Sequence, residues 1–440
     1  MLPEFYQFHH PTKVIYGEGL ANDFSHELEA LGVKNYYLVS DQVLNDLGLI
    51  QQIREGLEEA GFTITGEFYD VPQDASVEAV ECISHQAKDS GAEGLMAVGG
   101  GSVIDAAKAA NFVFSEGGDL IADYSGAATL SRPLKPFVVI PTTAGTGSEN
   151  TLVAVIYDAA NKTKLVFSDR FLLPDLAVLD PLMTQSLPPG LTASTGMDAL
   201  THAVESYVGV DTSPHSEALA VAAIKYILKY LVRATQKADD LEARGRMLIA
   251  ANMAGSSFSH SMVGCVHAMA HAVGGLTRVP HGVANAILLP HGMEYNFEVC
   301  KEKFAELAPV MGVDATGMSV DEAARGAIAA VRRLGRHLNA LNAMAVRLKD
   351  AGVPEERLPA IAEAATTREH EVVLVSGPVH LSSPYAVTDL IRVESAREMY
   401  EAVRDSIGGC DVAIFCAAVA DYRPVAVPDQ KIKKRGDTLT

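Results

Sequence analysis

Disulfide-forming residues are scarce in this sequence. Its 440 residues include five cysteines, an odd number, and no two of them form a CxxC pair. Scattered thiols of this kind favour a reducing cytosol over a disulfide-bonded scaffold, so we expect a cytoplasmic protein. The first residues, MLPEF, contain no basic segment and no long apolar run, which argues against a signal peptide.

Basic side chains and long apolar runs are also scarce. The 35 Lys and Arg residues are outnumbered by 55 Asp and Glu residues, which gives a formal charge of −20. An acidic surface repels the phosphate backbone, so we expect no general nucleic-acid binding. No stretch of about 18 apolar residues is free of charge and histidine, so no membrane span is expected. The length favours roughly two to four domains.

Short apolar runs alternate with helical patterns between residues 35 and 180. The runs are rich in Val, Ile and aromatic residues, as strands are, and they lie at 35–40, 62–69, 94–98 and 136–140. The helical patterns lie between them, at 49–60, 76–90 and 102–114. This order predicts a parallel α/β sheet that is covered on both faces. An antiparallel insertion is expected at 152–157 and 164–168.

The pattern changes after residue 181. Residues 182 to about 365 carry almost no strand signal, and helices are expected at 216–235, 239–258 and 321–348. Strand-like runs return at 371–376 and 411–417, and a helix is expected between them, at 395–406. We therefore predict three regions: an α/β domain at 1–181, an all-helical domain at 182–367 and a partial α/β fragment at 368–440.

Histidines cluster in one part of the chain. Five of the fourteen lie close together in the sequence: His260, His267, His271, His281 and His291. The second and third of these are four residues apart, so on a helix they share one face. His281 and His291 each stand in a Pro-His-Gly sequence, where we expect a helix to be interrupted.

A carboxylate and a further histidine precede this cluster. Asp198 and His202 are four residues apart in GMDALTHAVE. One carboxylate and three imidazoles from such segments suit Fe(II) or Zn(II), with one position left open for substrate. The alternative is that these are ordinary core histidines, because a spacing of four also arises by chance. The HExxH motif is absent, which argues against a metallohydrolase.

Two polar, glycine-rich loops follow predicted strands. GGGS at 99–102 opens a predicted helix, where adjacent glycines and free amides suit a pyrophosphate. Ile104 replaces the third glycine of GxGxxG, so a plain tight turn is an equal alternative. PTTAGTGS at 141–148 is the second loop, and both would lie at the ligand-binding carboxyl edge of the sheet. Asp41 ends the first strong strand and is expected either to bind a ribose hydroxyl or to cap a helix.

These motifs together resemble the iron-containing (group III) alcohol dehydrogenases over residues 1 to about 366. The motifs that carry the resemblance are GGGSxxDxAK at 99–108, PTTAGTGSE at 141–149, GMDALTHAVE at 196–205 and HAMAHAVGG…PHG at 267–282. The resemblance implies a dinucleotide-binding α/β domain, a helical metal-binding domain and NAD-dependent oxidation of a primary alcohol or small diol. It also implies a homodimer or a larger homo-oligomer.

The resemblance also assigns roles to individual residues. It implies that Fe(2+), or Zn(2+), is held by Asp198, His202, His267 and His281. It places His271 beside the nicotinamide as a proton-relay or positioning residue. It implies NAD contacts from Asp41, Gln73, Gly100, Gly101, Ser102, Asp105, Thr142, Thr143, Thr146, Val153 and Lys164. An Asp at position 41 would disfavour NADP, whereas Gln73 and Asn150 depart from the family pattern, which bears on fine cofactor and substrate preference.

From about residue 369 the chain resembles a different family, the ligase part of the bifunctional phosphopantothenoylcysteine synthetase/decarboxylase. SGP at 376–378, AAVADYRP at 417–424 and KIKK at 431–434 carry this resemblance. The opening strand and nucleotide loop of that ligase are absent, as is the last helix of the dehydrogenase. We therefore expect a joint at about 360–369 and no ligase activity.

Two alternatives remain open for the chain as a whole. One is a related enzyme on the same architecture, such as a polyol dehydrogenase or a dehydroquinate-synthase-like lyase. The spacing of His267, His271 and His281 argues against it. The other is a chimera whose catalysis is impaired by a tail that cannot pack, because half a parallel sheet leaves strands unpaired.

Overall fold

The computed structural model describes residues 5–161, 163–366, 373–376 and 389–392, and positions 398, 401, 402 and 404. The chain divides into two compact units, Met1–Ala365 and Thr366–Thr440. None of the helices in the described part of the chain combines the length and the apolar character needed to cross a membrane.

A parallel sheet forms the centre of the α/β region. The described strands are β1 (Lys13–Tyr16), β2 (Asn35–Val39), β3 (Thr63–Phe68), β4 (Gly94–Gly99), β5 (Gly126–Ala127), β6 (Phe137–Pro141), β7 (Val153–Asp158), β8 (Thr163–Ser168), β9 (Leu176–Leu179), β10 (Val373–Ser376) and β11 (Asp389–Arg392). Six of them form one parallel sheet in the order β1-β9-β6-β4-β2-β3. The four predicted strands of this sheet are confirmed. β1 and β9 were not predicted, because four residues each are too few to show a period.

The predicted antiparallel insertion is also confirmed. β7 and β8 pair antiparallel, with Val153 opposite Ser168 and Asp158 opposite Thr163. The Asp158 carboxylate accepts the Ala160 amide at 3.0 Å, an Asx turn that reverses the chain between the strands. β5 adds a short parallel edge to β8.

Helices cover both faces of the main sheet. They are α1 (Ser25–Leu28), α2 (Gln42–Asp46), α3 (Leu49–Glu59), α4 (Val77–Asp89), α5 (Gly101–Glu116) and α6 (Leu120–Tyr124). On β2, Tyr36 and Leu38 join the apolar cluster that contains α3, whereas Tyr37 and Val39 join the cluster that contains α4 and α5. Burial on both faces explains why this strand reads NYYLV without polar alternation.

The region from residue 182 to 365 contains helices and no strand, as predicted. The helices are α7 (Pro189–Val208), α8 (Pro214–Gln236), α9 (Leu241–Phe258), α10 (Cys265–Thr277), α11 (His281–Tyr295), α12 (Phe297–Val310), α13 (Val320–Ala340) and α14 (Leu358–Thr366). α7 is the central helix, buried by α8, α9 and α11. Short 3₁₀ turns lie at Leu20–Asn22, Glu29–Leu31, Ser148–Asn150, Arg170–Leu172, Pro181–Thr184, Leu348–Ala351 and Glu355–Arg357.

Two helical predictions are wrong in detail. The helix expected at 321–348 ends at Ala340, and Asn342 just beyond it has a φ of +55°, which ends a helix. The interruption expected at His291 does not occur, because α11 runs through it with Pro290 inside. Pro290 removes one backbone donor, but the buried side chains of Leu289 and Met293 anchor the helix on both sides of it.

In the second unit, the structure describes one pair of strands. β10 and β11 pair parallel from Val373 opposite Asp389 to Ser376 opposite Arg392. The strand expected at 371–376 is confirmed as β10. Positions 398, 401, 402 and 404, within the helix expected at 395–406, are helical. The strand expected at 411–417 lies outside the described residues.

Candidate metal centre and cofactor crevice

Helix α7 carries a carboxylate and an imidazole one turn apart. Asp198 and His202 lie on one face of α7, 3% and 5% exposed. α7 begins at Pro189, whose fixed φ suits the first turn of a helix. The predicted pairing of these two residues on a helix is confirmed.

Two other helices bring histidines to this carboxylate. His267 lies on α10, and His281 is the first residue of α11, where the predicted break in the helical pattern does occur. The close approach of α11 to α7 requires a glycine at 282, because a Cβ there would lie 2.5 Å from the Ser194 carbonyl oxygen. This contact seats the first turn of α11 against α7 and brings His281 to Asp198.

The three side chains converge on one point. Asp198, His267 and His281 each offer one ligand atom, and these atoms all lie within 4.8 Å of one another. Asp198 Oδ1 is 3.6 Å from His281 Nε2 and 3.9 Å from His267 Nε2. Two donor atoms on one ion, each about 2.1 Å from it, are at most about 4.2 Å apart. Both separations from the carboxylate therefore suit a shared metal ion.

His202 lies beside this group of three. Its Nδ1 is 4.0 Å from Asp198 Oδ2. Its ring stacks between Phe258 and His267, with centroid distances of 4.3 and 4.4 Å. The structure thus brings three of the four predicted ligands together and places the fourth against them.

Burial keeps two imidazoles of the centre neutral. It lowers the pKa of His202 to about 3 and that of His281 to about 4, even though 29% of the His281 side chain is accessible. Burial would raise the pKa of Asp198, but the neighbouring histidines and the Asn285 amide outweigh it and hold that pKa below its usual range. Neutral imidazoles and an ionised carboxylate are the forms that bind metal ions.

Two nitrogens of the centre have no hydrogen-bond partner among the described residues. They are His202 Nδ1 and His267 Nε2, and both are buried. Buried polar atoms in native proteins are nearly always satisfied, and coordination to a metal ion would satisfy these two. The donor set, one carboxylate and neutral imidazoles, therefore fits Fe(II) or Zn(II).

Two further polar residues of the centre were missed in the sequence. Glu205 on α7 accepts a hydrogen bond from His267 Nδ1 at 2.6 Å. Asn285 on α11 donates to Asp198 Oδ1 at 2.6 Å. Glu205 closes the motif GMDALTHAVE seven residues after Asp198, so helical periodicity could have placed both on one face. No sequence signal marks Asn285.

The remaining histidines of the cluster lie in different places. The His271 ring is 5.0 Å from that of His281 and 6.4 Å from that of His267, at the edge of the centre. His260 contacts the backbone of His9 instead. The side chain of His291 is 61% exposed. Of the three, only His271 adjoins the centre.

The predicted cofactor loops meet at the carboxyl edge of the sheet. The chain runs from β2 to β3 on one side and returns to β4 on the other, so the strand order reverses between β2 and β4. Open α/β sheets bind ligands at such a point. Asp41 follows β2 and accepts the Leu44 amide at 3.0 Å, which confirms the alternative of a helix cap.

Close packing joins the two glycine-rich loops. A Cβ at Gly101, the first residue of α5, would lie 2.6 Å from Thr146 Cγ2. A Cβ at Gly100 would lie 3.2 Å from Thr143 Cγ2. The Thr142 amide donates to the carbonyl oxygen that ends β4, at 3.0 Å. Five of the predicted cofactor residues therefore lie where these two loops pack together: Gly100, Gly101, Thr142, Thr143 and Thr146.

The second loop also adjoins the metal centre. The backbone of Gly145 lies close enough to the His202 ring to raise its pKa, against the larger effect of burial, which lowers it. A Cβ at Gly145 would lie 2.6 Å from Thr195 Cβ on α7, so only glycine allows this approach. The crevice at the sheet edge and the centre on α7 are therefore parts of one site.

Three other predicted cofactor residues lie around Asp74. The Asp74 amide donates to Ser102 Oγ at 3.2 Å, and its carboxylate is 2.8 Å from Lys164 Nζ. Gln73 precedes it and is exposed. Burial dominates the lowered pKa of His281, to which the Lys164 charge adds and which the Asp74 charge opposes.

Two more of the predicted cofactor contacts, Asp105 and Val153, form hydrogen bonds inside the protein. Asp105 accepts the Ser148 hydroxyl at 2.6 Å and an amide of β7 at 2.9 Å, so both carboxylate oxygens are engaged. Lys108, one turn later on α5, is fully buried and donates to the carbonyl oxygens of Thr151 and Val153 at 2.7 and 3.0 Å. Asp105 thus holds the second loop against α5, and Lys108 holds Thr151 and Val153, which follow that loop.

Asn150 departs from the family pattern, and its hydrogen-bond partners explain why a polar side chain stands at this position. Its side chain is buried, and its Nδ2 donates to Asn252 Oδ1 at 3.1 Å. The same nitrogen is 2.9 Å from His10 Nε2. The residue therefore joins the second loop to α9 and to the N-terminal segment.

Comparison with known proteins places this architecture in a family. Residues 11–181 match the family model described as iron-containing alcohol dehydrogenase, and residues 192–385 match the model of the Fe-containing alcohol dehydrogenase family, C-terminal. NAD-dependent methanol dehydrogenase of Bacillus methanolicus is 36% identical over 355 residues, 81% of this chain and 92% of the relative. 1,3-Propanediol dehydrogenase of Klebsiella pneumoniae is 38% identical over 361 residues, 81% of this chain and 91% of the relative.

The fold agrees with solved structures of such enzymes. A crystal structure of 1,3-propanediol oxidoreductase matches with a TM-score of 0.79 and 37% identity, over 82% of this chain and 93% of that one. Fold and site together define an α/β crevice beside a helical carboxylate–histidine centre that can hold a metal ion. The chain belongs to the iron-containing alcohol dehydrogenase family.

The second resemblance is confirmed as well. Residues 359–440 match the family model described as DNA/pantothenate metabolism flavoprotein C-terminal domain. This match overlaps the dehydrogenase match between residues 359 and 385. The overlap includes the joint expected at about 360–369.

Proposed function

We propose that this protein transfers a hydride between a small primary alcohol or diol and NAD, giving the aldehyde or ketone. The observation that carries the proposal is the convergence of Asp198, His267 and His281 next to the sheet-edge crevice. The relatives named methanol dehydrogenase and 1,3-propanediol dehydrogenase support short alcohols and diols as the substrate class.

The chain's own residues suit this chemistry. Fe(II), or Zn(II) in its place, would be held by Asp198, His267 and His281, with His202 as the fourth ligand. A divalent ion there supplies Lewis acidity, which lowers the pKa of an alcohol oxygen. The ionised Asp198 and the neutral imidazoles leave such a site with a net positive charge, and their burial excludes water. His271, whose ring lies 5.0 Å from that of His281, would take up the proton that the alcohol loses.

The crevice would orient the cofactor, and NAD supplies the hydride acceptor. The residues that we propose to contact it are Asp41, Gln73, Gly100, Gly101, Ser102, Asp105, Thr142, Thr143, Thr146, Val153 and Lys164. The free amides at the first turn of α5 suit a pyrophosphate. Asp105 would also hold the second loop in place, because its carboxylate accepts the Ser148 hydroxyl at 2.6 Å.

A label-transfer experiment tests the reaction class. The Fe(II)-loaded protein is incubated anaerobically with NAD and 1,3-propanediol that carries deuterium at its alcohol carbons, and the NADH is analysed by mass spectrometry. We expect deuterium on the nicotinamide ring, because the hydride passes directly from carbon to carbon. Loss of the label to water, without labelled NADH, would indicate a lyase-type proton abstraction and contradict the proposal.

The charge of Asp41 is expected to set the preference for NAD. Asp41→Ser keeps a helix-capping oxygen but removes the carboxylate that would repel a 2′-phosphate. We expect the ratio of kcat/KM for NADP to that for NAD to rise by at least about tenfold, which corresponds to about 1.4 kcal/mol. Steady-state kinetics with both cofactors measure the ratio.

Asp41→Ala separates the two roles of this residue. It also removes the cap of α2, and we expect it to lower stability by about 0.5–2 kcal/mol relative to Asp41→Ser. The change in cofactor preference should be similar in the two variants. An unchanged cofactor ratio in both would show that Asp41 only caps α2.

Further features of the protein are proposed on the same basis. We propose domains at 1–181 and 182–367 and a ligase-like fragment at 368–440, and the family models that end at 181 and begin at 192 support the first boundary. The scattered thiols support a cytoplasmic protein, and the family resemblance supports a homo-oligomer, for example a homodimer. We propose that the tail has no ligase activity.

A chain that ends at Ala365 should oxidise alcohols like the full chain, whereas faster turnover would show that the tail impairs catalysis.

A further inference from the structure

We propose that Glu205 is a positioning residue of the metal centre, which fixes the tautomer of His267 and ties two ligand-bearing helices together. Glu205 follows Asp198 by seven residues on α7, two helical turns later, so the two side chains share one face of the helix. The inference rests on the proposed function only for the statement that a metal ion binds at this centre.

Within the described part of the chain, the Glu205 carboxylate accepts its hydrogen bonds from N–H groups of α10 and of its cap. Oε1 accepts the Val266 amide at 2.7 Å, and Oε2 accepts the Gly264 amide at 2.9 Å. Oε2 also accepts from His267 Nδ1 at 2.6 Å. The side chain is 6% exposed, so these three donors replace most of its water.

The contact with His267 determines which ring nitrogen can bind a metal. An ionised carboxylate only accepts hydrogen bonds, so Nδ1 of His267 must carry the proton. In a neutral imidazole the other nitrogen, Nε2, then has a free lone pair. Nε2 is the atom that faces Asp198 Oδ1 at 3.9 Å, and it is buried without a hydrogen-bond partner among the described residues. The carboxylate therefore prepares a metal ligand at the correct nitrogen.

The same carboxylate replaces a missing helix cap. Gly264 is the N-cap residue of α10 and has no side chain to cap it. Glu205 supplies an acceptor and a negative charge at this helix start, both of which are stabilising there. A Cβ at Gly264 would lie 2.8 Å from Glu205 Oε1, so glycine is needed for the carboxylate to reach the amides. This contact fixes α10, with His267, against α7, with Asp198.

Glu205→Gln is the variant that tests this role. A glutamine amide has one acceptor oxygen and two N–H donors, so it cannot satisfy three donors. Its NH₂ group would face His267 Nδ1 and favour the tautomer that carries the proton on Nε2. In that tautomer Nε2 has no free lone pair and cannot bind the metal ion. Losing such a partner typically weakens metal binding 10–100-fold, and we expect a loss of about this size for Co(II), measured by competition with a chromophoric chelator. No alcohol or NAD is needed for this measurement.

A matched control and a second measurement separate positioning from folding. Glu306→Gln removes a carboxylate on α12 that accepts from Tyr207, which lies on α7 as Glu205 does, and that does not touch the centre. The Co(II) affinity of this variant should equal that of the unmodified protein. In metal-free protein labelled with ¹⁵N at histidine, the His267 ring should be protonated at Nδ1, and in Glu205→Gln at Nε2. The signal is assigned by its absence in His267→Asn. A purely structural role would leave the tautomer unchanged.

The outcomes are distinct. Unchanged Co(II) affinity in folded Glu205→Gln, or a His267 that is already protonated at Nε2 in the unmodified protein, would overturn the inference. If the variant does not fold, the tautomer of the unmodified protein still decides it. If the tautomer and the Co(II) affinity behave as expected but no alcohol is oxidised, the proposed function fails and the role of Glu205 stands.

Discussion

Replacing His267 by alanine should remove the metal and the activity together. The imidazole is 3% exposed, is held by Glu205 and faces Asp198, and alanine has no atom that could replace its Nε2 as a ligand. Lewis-acid catalysis contributes several kcal/mol, and each 1.4 kcal/mol is tenfold in rate. We expect kcat/KM to fall by at least about 10³-fold. Metal content, measured by atomic emission on the purified variant, should fall with it.

His291→Ala is the matched control. His291 belongs to the same histidine-rich sequence but is largely exposed on α11, with Glu294 3.9 Å away as its neighbour. Its removal should leave both metal content and kcat/KM unchanged. Full metal occupancy in His267→Ala, or an equal loss in His291→Ala, would contradict the assignment of the centre.

Lys108→Met is expected to be among the most destabilising single substitutions in the chain. The Lys108 ammonium is fully buried, and it donates to Thr151 and to the Val153 carbonyl oxygen. Its charge also offsets the burial that raises the pKa of Asp105. The substitution leaves the carbonyl oxygens of Thr151 and Val153 buried without this donor, at a cost of about 1–3 kcal/mol each. At about 2 °C per kcal/mol for a large domain, the Tm should fall by about 4–12 °C.

The control for this substitution is Lys88→Met. Lys88 is exposed on α4, and surface substitutions usually change stability by less than about 0.5 kcal/mol. Thermal unfolding of both variants gives the comparison. A Tm for Lys108→Met that equals that of Lys88→Met would show that the network beneath the second loop does not stabilise the fold. NAD binding by Lys108→Met should also weaken, because this network holds the loop.

Much of the fold follows from local sequence patterns. β2, β4 and β6 are continuous apolar runs, and such runs are typical of strands buried on both faces of a parallel sheet. The helical region from residue 182 to 365 shows no strand-like alternation, and its long helices were found from their period. The short edge strand β1 carries no such signal. Likewise, the Pro-His-Gly at His291 does not break α11, because tertiary packing outweighs the local effect of one proline.

The candidate site was predictable in its ligands but not in its supporting residues. A spacing of four places Asp198 and His202 on one helix face, and the family resemblance adds His267 and His281. The crossing of α7 and α10, which brings Glu205 to His267, depends on tertiary packing and leaves no trace in local spacing. For the same reason Asp105, expected to contact NAD, is found with both oxygens engaged inside the protein.

The most direct test of the account is metal-dependent NADH formation by the full-length chain. The protein is loaded with Fe(II) without oxygen and supplied with NAD and 1,3-propanediol, and NADH is followed before a chelator is added, after it, and after Fe(II) is restored. The account predicts turnover that the chelator abolishes and Fe(II) recovers. Turnover that persists in the chelated, metal-free protein would contradict a catalytic centre built on Asp198, His267 and His281.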